Sequence, residues 1–260
     1  MPAYVSHTLM ARDVYEKLKN KGSISLDYLL THSLGGDLCK YSKCRHDSHH
    51  KNQKEFFENM CNYLKENNLQ NDPELLGVLY GHICHYALDN TAHPLIRRMS
   101  GTCARNKKNH NLIESYYDAY LVRKKYNIPV DKYDNKALFK GKITKKVAKM
   151  LDYAYEKTYN TKHVSRYYKF NIWLYKKIRI LYTIFGIPLL KKVSGFNKFM
   201  SINKNIDLFN HNHKAKFKDI NGKECYKDFD ELYADSVKKA LRDIKETNKY
   251  FNWHGYNKNI

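Results

Sequence analysis

Residues 81–118 carry the side chains in this sequence that could do chemistry. They read GHICHYALDNTAHPLIRRMSGTCARNKKNHNLIESYYD. His85, Asp89 and His93 stand at i, i+4 and i+8. On a helix such positions share one face and drift only about 40° per step. His82 joins that stripe at i−3 from His85. His110 and Glu114 form a second i, i+4 pair, and Asp118 continues its face. The flanking residues Leu79, Tyr80, Ile83, Ala87 and Leu88 are apolar, which predicts a largely buried helix. A buried stripe of imidazoles and carboxylates must have every polar group satisfied. Metal ligation satisfies them together, and imidazole plus carboxylate without thiolate suits catalytic Zn²⁺.

The elements that must position these residues are helical. The chain has 260 residues, of which 42% are apolar, with five Pro and eleven Gly. This composition supports a sizeable core and excludes a wholly disordered chain. Apolar spacing predicts helices over residues 8–19, 53–66, 110–125, 143–157, 167–181 and 228–248. Asn71-Asp72-Pro73-Glu74 is a helix start, and its helix is expected to run to about His93, where Pro94 would stop it. Strand alternation is weak throughout, so the expected class is all-α, as a single domain over 1–260. The start, MPAYVSH, lacks the basic and apolar regions of a signal peptide. No apolar run reaches the length of a membrane span; the nearest, Ile180 to Leu190, reads as a core segment or, as the alternative, an interfacial one. The six Cys form no C-x-x-C pair and are expected to be reduced, which points to the cytoplasm. Cys39, Cys44, His46 and His49 fit no common structural zinc spacing.

Lys and Arg outnumber Asp and Glu by 47 to 26, for a net charge of +21. That balance favours anionic partners without choosing among them. Residues 139–199 hold 15 basic residues against two acids, Asp152 and Glu156. With Trp173 and several Tyr, this segment suits an anionic membrane surface, a single-stranded nucleic acid, or simply a solvated lysine-rich face.

The spacing His85-x-x-x-Asp89-x-x-x-His93, followed by His110-x-x-x-Glu114, resembles the prokaryotic zinc-dependent phospholipase C family. That family is related to the fungal zinc single-strand nucleases. HYALDNTAHPLI is similar to its metal-site signature. MPAYVSHTLMARDV resembles its unprocessed intracellular branch and places His7. SLGGDLCKY places Asp37, and HHKNQKEFFENM places His49, with His50 as the alternative. The run NHNHKAKFKDINGKE followed by DFDELYADSVKKAL resembles the family's end. The basic stretch 139–205 is the least similar part.

The resemblance implies an all-helical fold around two or three zinc ions. Asp37, His49, His85 and Asp89 would hold one ion, and His93, His110 and Glu114 a second. His7 and a bridging Asp89 would hold a third. Secreted members complete that third site with an N-terminal Trp, whereas this sequence begins Met1-Pro2. The implied activity is hydrolysis of a phospholipid or other phosphodiester by metal-activated water, with Asp37 as general base or as ligand alone. His82 and Asp118 are candidate hydrogen-bonding partners of the ligand imidazoles. Choline-specific members carry an aromatic residue directly after Asp37, where this chain has Leu38. A zinc nuclease, or a non-catalytic zinc- or membrane-binding protein, is the alternative on the same scaffold.

Overall fold

A computed structural model of the chain describes residues 4–39, 42–44, 48–49, 51–100, 107–134, 139–184 and 214–250. Among them are eight α-helices. They are α1 (Tyr4–Lys17), α2 (Leu26–His32), α3 (Gln53–Glu66), α4 (Pro73–Met99), α5 (Lys107–Tyr126), α6 (Lys145–Tyr159), α7 (Val164–Ile184) and α8 (Phe229–Tyr250). The fold is all-α. Among the described residues, one antiparallel hairpin pairs β1 (Ala215–Lys218) with β2 (Glu224–Lys227).

Helix α4 is the central element. Every residue from Leu75 to Asp89 is buried, because α1, α2, α3, α5, α6 and α8 pack around it. Asp72 caps its start by accepting from the Glu74 and Leu75 N–H groups at 3.0 and 3.1 Å. Gly81 lets α2 approach closely: a Cβ there would lie 2.8 Å from the Leu29 carbonyl oxygen. Helices α3 and α6 pair through Phe56 and Tyr155, whose ring centroids lie 4.8 Å apart. Helix α8 buries Phe229, Leu232, Val237, Ala240 and Ile244.

Pro94 does not end the helix as the sequence suggested. It lies inside α4, which continues to Met99. A proline there removes one backbone hydrogen bond, at a cost of about 3 kcal/mol. Burial of Leu95 against Phe217 and Leu232, together with burial of Ile96, holds the extra turn in place. The hairpin was hidden because its strands have four residues each. Its signal was Asn221-Gly222, with Gly222 at φ +80° and the Asp219 carboxylate accepting from two turn N–H groups. Helix α1 starts four residues earlier than its periodicity suggested. Asn residues do the terminating work usual for glycine: Asn160 closes α6 at φ 49°, and Asn127 follows α5 at φ 54°.

His32 is a cost carried inside this core. It is fully buried, stacked near Tyr28, His82 and Tyr168, and neither ring nitrogen has a hydrogen-bond partner. Burial, then the neighbouring His82, pushes its pKa well below the ordinary range. The folded ring therefore refuses a proton that the unfolded chain accepts, and stability falls as pH drops below about 6.5. His32→Phe is expected to stabilise the protein by about 1 kcal/mol at neutral pH. The gain should grow on acidification. Urea midpoints of variant and wild type at about pH 7 and about pH 5.5 check both points.

Part of the sequence reading falls outside the described residues. This applies to His46, His50, Cys103, His211 and His213, to residues 185–205 of the basic stretch, and to the side chains of the apolar run 180–190. The described cysteines, Cys39, Cys44, Cys61, Cys84 and Cys225, are free thiols. Among the described residues, no helix is long and apolar enough to cross a membrane.

Candidate metal centre

His85 and Asp89 face inward from the middle of α4, and His93 follows one turn later. Their i, i+4 spacing sets His85 Nε2 3.4 Å from Asp89 Oδ2 and His93 Nε2 3.6 Å from Asp89 Oδ1. Helix α1 delivers His7, whose Nε2 lies 3.2 Å from Asp89 Oδ1 and whose ring stacks on His85 at 4.5 Å. Helix α5 delivers His110 and Glu114. Glu114 Oε1 lies 3.0 Å from His110 Nε2 and 3.1 Å from His93 Nε2. Stacking of Tyr117 on Phe229, centroids 3.6 Å apart, locks α5 against α8.

Two short segments complete the cluster. A 3-10 turn, Gly35–Cys39, carries Asp37. Helix α7 braces that turn: the Tyr168 hydroxyl donates to the Gly35 carbonyl at 3.1 Å, and the Asn171 amide donates to the Leu38 carbonyl at 2.9 Å. His49 Nε2 lies 3.3 Å from Asp37 Oδ1. The Tyr86 hydroxyl donates to the Ser48 carbonyl and the Gln53 amide to the His49 carbonyl, so the backbone around His49 is held from both sides.

The eight residues singled out in the sequence therefore lie together. Three groups have ligand atoms within 4.8 Å of one another: His7, Asp37 and His85; His49, His85 and Asp89; His93, His110 and Glu114. The last group is the trio expected at one ion. The first two share His85, and His7 adjoins Asp37 as well as Asp89. A cavity of about 20 Å³ opens between His7, Asp89, His93 and Glu114, room for one water-sized species.

The electrostatics favour cations. Burial alone would raise the Asp89 carboxyl, but the charge of His93 and the hydrogen bond from His7 hold it well below its usual range. Partial burial likewise opposes ionisation of Asp37, and the hydrogen bond from His49 outweighs it, bringing the carboxyl down to about 2. Glu114 is lowered in spite of burial by hydrogen bonds to His110 and His93. Burial works to lower His7 and His93, yet their carboxylate partners raise both. His85 differs: burial takes it down to about 3. Its Nδ1 lies 3.2 Å from the Ser33 carbonyl, so the ring proton sits there. The Nε2 lone pair is then buried, without a hydrogen-bond partner, and turned toward Asp89. A buried imidazole lone pair beside buried carboxylates is a donor set that could hold a metal ion, and its chemistry fits Zn²⁺.

His82 and Asp118 do not touch the ligand rings. His82 sits 60° round α4 from His85, and a helix buried on all sides gives that face other neighbours. Its Nδ1 donates to the Val78 carbonyl at 2.9 Å, its Nε2 lies 2.8 Å from the Tyr168 hydroxyl oxygen, and burial lowers it to about 4. Asp118 accepts from the Ser6 N–H at 2.8 Å, the Val5 N–H at 3.3 Å and the Ser6 hydroxyl. It thus caps α1 from another helix, which is why α1 shows no local start signal. Burial pushes its carboxyl up to about 6 against the pull of those donors. Asp118→Ala would orphan buried N–H groups and is expected to cost about 2–4 kcal/mol. Because α1 carries His7, zinc affinity should fall as well. Asn, which keeps one acceptor oxygen, should recover much of both; denaturation midpoints and zinc content check this.

Sequence reading also missed the cleft over the cluster. It measures about 290 Å³ and runs from His49 and His93 past Gln53, Asn90 and Arg97 to Ile220 at the hairpin tip. Gln53 and Asn90 pair their amides at 2.8 Å. Leu38, the position that is aromatic in choline-specific proteins, is wholly buried. No local signal marked Gln53 or Arg97, because the cleft joins α3, α4 and the hairpin, which are far apart in sequence.

A model described as zinc-dependent phospholipase C matches residues 6–169, which span all eight clustered residues. Neither the curated proteins nor the solved structures yield a match.

Proposed function

The chain belongs to the zinc-dependent phospholipase C family, and from that premise we propose that it hydrolyses the head-group phosphodiester of phospholipids. The observation that carries this reading is the convergence of five imidazoles and three carboxylates beneath one polar cleft. In the proposal His93, His110 and Glu114 hold one zinc ion, and Asp37, His49, His85 and Asp89 hold another. His7 and Asp89 hold a third where three are bound. Bound zinc supplies positive charge for the phosphoryl oxygens and acidifies water.

The chain's own residues do the rest. Asp89 and Glu114, 7% and 9% exposed at the side chain, keep the imidazoles in place. The Asp37 side chain, 48% exposed, is the one carboxylate of the three that reaches solvent freely. It is ionised at neutral pH, accepts a hydrogen bond from the attacking water and takes its proton as the new phosphorus–oxygen bond forms; the bond from phosphorus to the diglyceride oxygen breaks, and the proton passes to that departing oxygen. Gln53, Asn90 and Arg97 offer donors and a cation on the cleft wall. Those side chains support recognition of the head group by hydrogen bonds and charge. The free thiols support a reducing, cytoplasmic setting.

The test is incubation of zinc-loaded protein with phospholipid vesicles. Diglyceride should appear together with phosphorylated head group, disappear with a chelator and return with zinc. Cleavage of a single-stranded oligonucleotide without diglyceride release would replace this reading with a zinc nuclease. A zinc-loaded chain inert on both substrates would make it a non-catalytic zinc protein.

A further inference from the structure

Helix α7 has two unlike faces. Tyr168, Asn171, Ile172 and Tyr175 are buried, and Tyr168 and Asn171 brace the turn that carries Asp37. On the other side Arg166, Lys169, Phe170, Trp173 and Lys177 are exposed at spacings of three and four residues, which makes one stripe. Phe170 is 48% exposed and Trp173 53%, and their rings stack with centroids 6.1 Å apart. Helix α7 contains no acidic residue.

We propose that this stripe seats the protein on an anionic lipid bilayer, with Phe170 and Trp173 entering the interface and Arg166, Lys169 and Lys177 meeting lipid phosphates. Each aromatic ring carries on the order of 200 Å² of surface, and water gives no reason to expose two side by side. An apolar pair flanked by long basic side chains matches the interfacial region, where rings embed and ammonium groups reach phosphate. The stripe lies on a convex helix, whereas single-stranded nucleic acid is held in grooves. A substrate that resides in a bilayer requires such a contact, and to that extent the inference rests on the function proposed above. The stripe stands one helix thickness, about 10 Å, behind the Asp37 turn.

The experiment uses the zinc-loaded full chain with Trp253→Phe, which leaves Trp173 as the sole tryptophan. Mixed phosphatidylserine–phosphatidylcholine vesicles should shift Trp173 emission to shorter wavelength, and pure phosphatidylcholine vesicles should do so far less. By sedimentation, F170A/W173A and K169E/K177E should each bind the anionic vesicles about tenfold or more weakly. Both should hydrolyse a soluble phosphodiester, bis(p-nitrophenyl) phosphate, as the wild type does. Unmoved emission, undiminished binding by the variants, or a shift produced by a single-stranded oligonucleotide and not by vesicles would overturn the proposal. If Trp173 enters the bilayer but no diester is hydrolysed, the docking surface stands and the enzymatic reading falls. Hydrolysis of the soluble diester without vesicle binding has the opposite meaning.

Discussion

Asp89→Ala is expected to reduce phosphodiester hydrolysis about a thousandfold or more. The Asp89 carboxylate lies within 3.6 Å of three imidazoles, those of His7, His85 and His93, which come from two different helices. No other side chain in the cluster joins so many. Removing it takes away a ligand that the proposal gives to two ions, and with it the negative charge that attracts them. Zinc affinity should fall at least about a hundredfold. The metal-free variant should also be about 3 kcal/mol less stable, because buried imidazoles lose their counter-charge. Asp89→Asn keeps the volume but not the charge, so it should recover part of the stability and little of the activity. Hydrolysis rates for the two variants at saturating zinc, beside urea midpoints after chelation, separate charge from packing.

The second large effect is expected at a residue with no functional group. Gly35→Ala should destabilise the protein by about 3 kcal/mol or more and lower zinc content and activity with it. Gly35 has φ +43°, a left-handed conformation that costs other residues about 1–2 kcal/mol. A Cβ there would lie 2.3, 2.4 and 2.7 Å from the Cγ, Cδ2 and Cβ atoms of His85. His85 cannot give way: it is fully buried, stacked on His7 and bonded to the Ser33 carbonyl. The strain must move either the imidazole or the turn that carries Asp37. Thermal unfolding should show a fall of about 10 °C. Gly22→Ala is the control, since no atom lies within 4 Å of its Cβ position and a surface change of this kind stays within about 0.5 kcal/mol.

How far the sequence discloses this molecule depends on how local each cause is. Helices α3, α5, α6 and α8 are legible because apolar residues at a 3.6-residue period carry their own evidence. Asp72-Pro73-Glu74 marks the start of α4 for the same reason: the cap and the N–H groups it serves are neighbours. The end of α4 is not legible, because Leu95 is held by Phe217 and Leu232, more than a hundred residues away. The start of α1 is hidden likewise, its cap being Asp118 on α5. His85, Asp89 and His93 can be grouped from spacing alone. The meeting of His7, Asp37 and His49 with them cannot, and only the family resemblance suggested it. Spacing also misplaced His82, since helical neighbours share a face only to within the turn of the helix. Leu38 was read for what it contributes to a head-group pocket, yet its side chain points into the core. The cleft wall of Gln53, Asn90 and Arg97 has no sequence signature because packing alone assembles it.

The most direct measurement is the zinc content of the purified chain by elemental analysis, taken together with diglyceride release by the same sample. Two or three zinc ions per chain, with release that follows zinc content through chelation and reloading, is the predicted result. A chain that stays folded yet takes up no zinc from excess metal would contradict the account, because the buried, unpartnered Nε2 of His85 and the carboxylates around it would then have some other purpose.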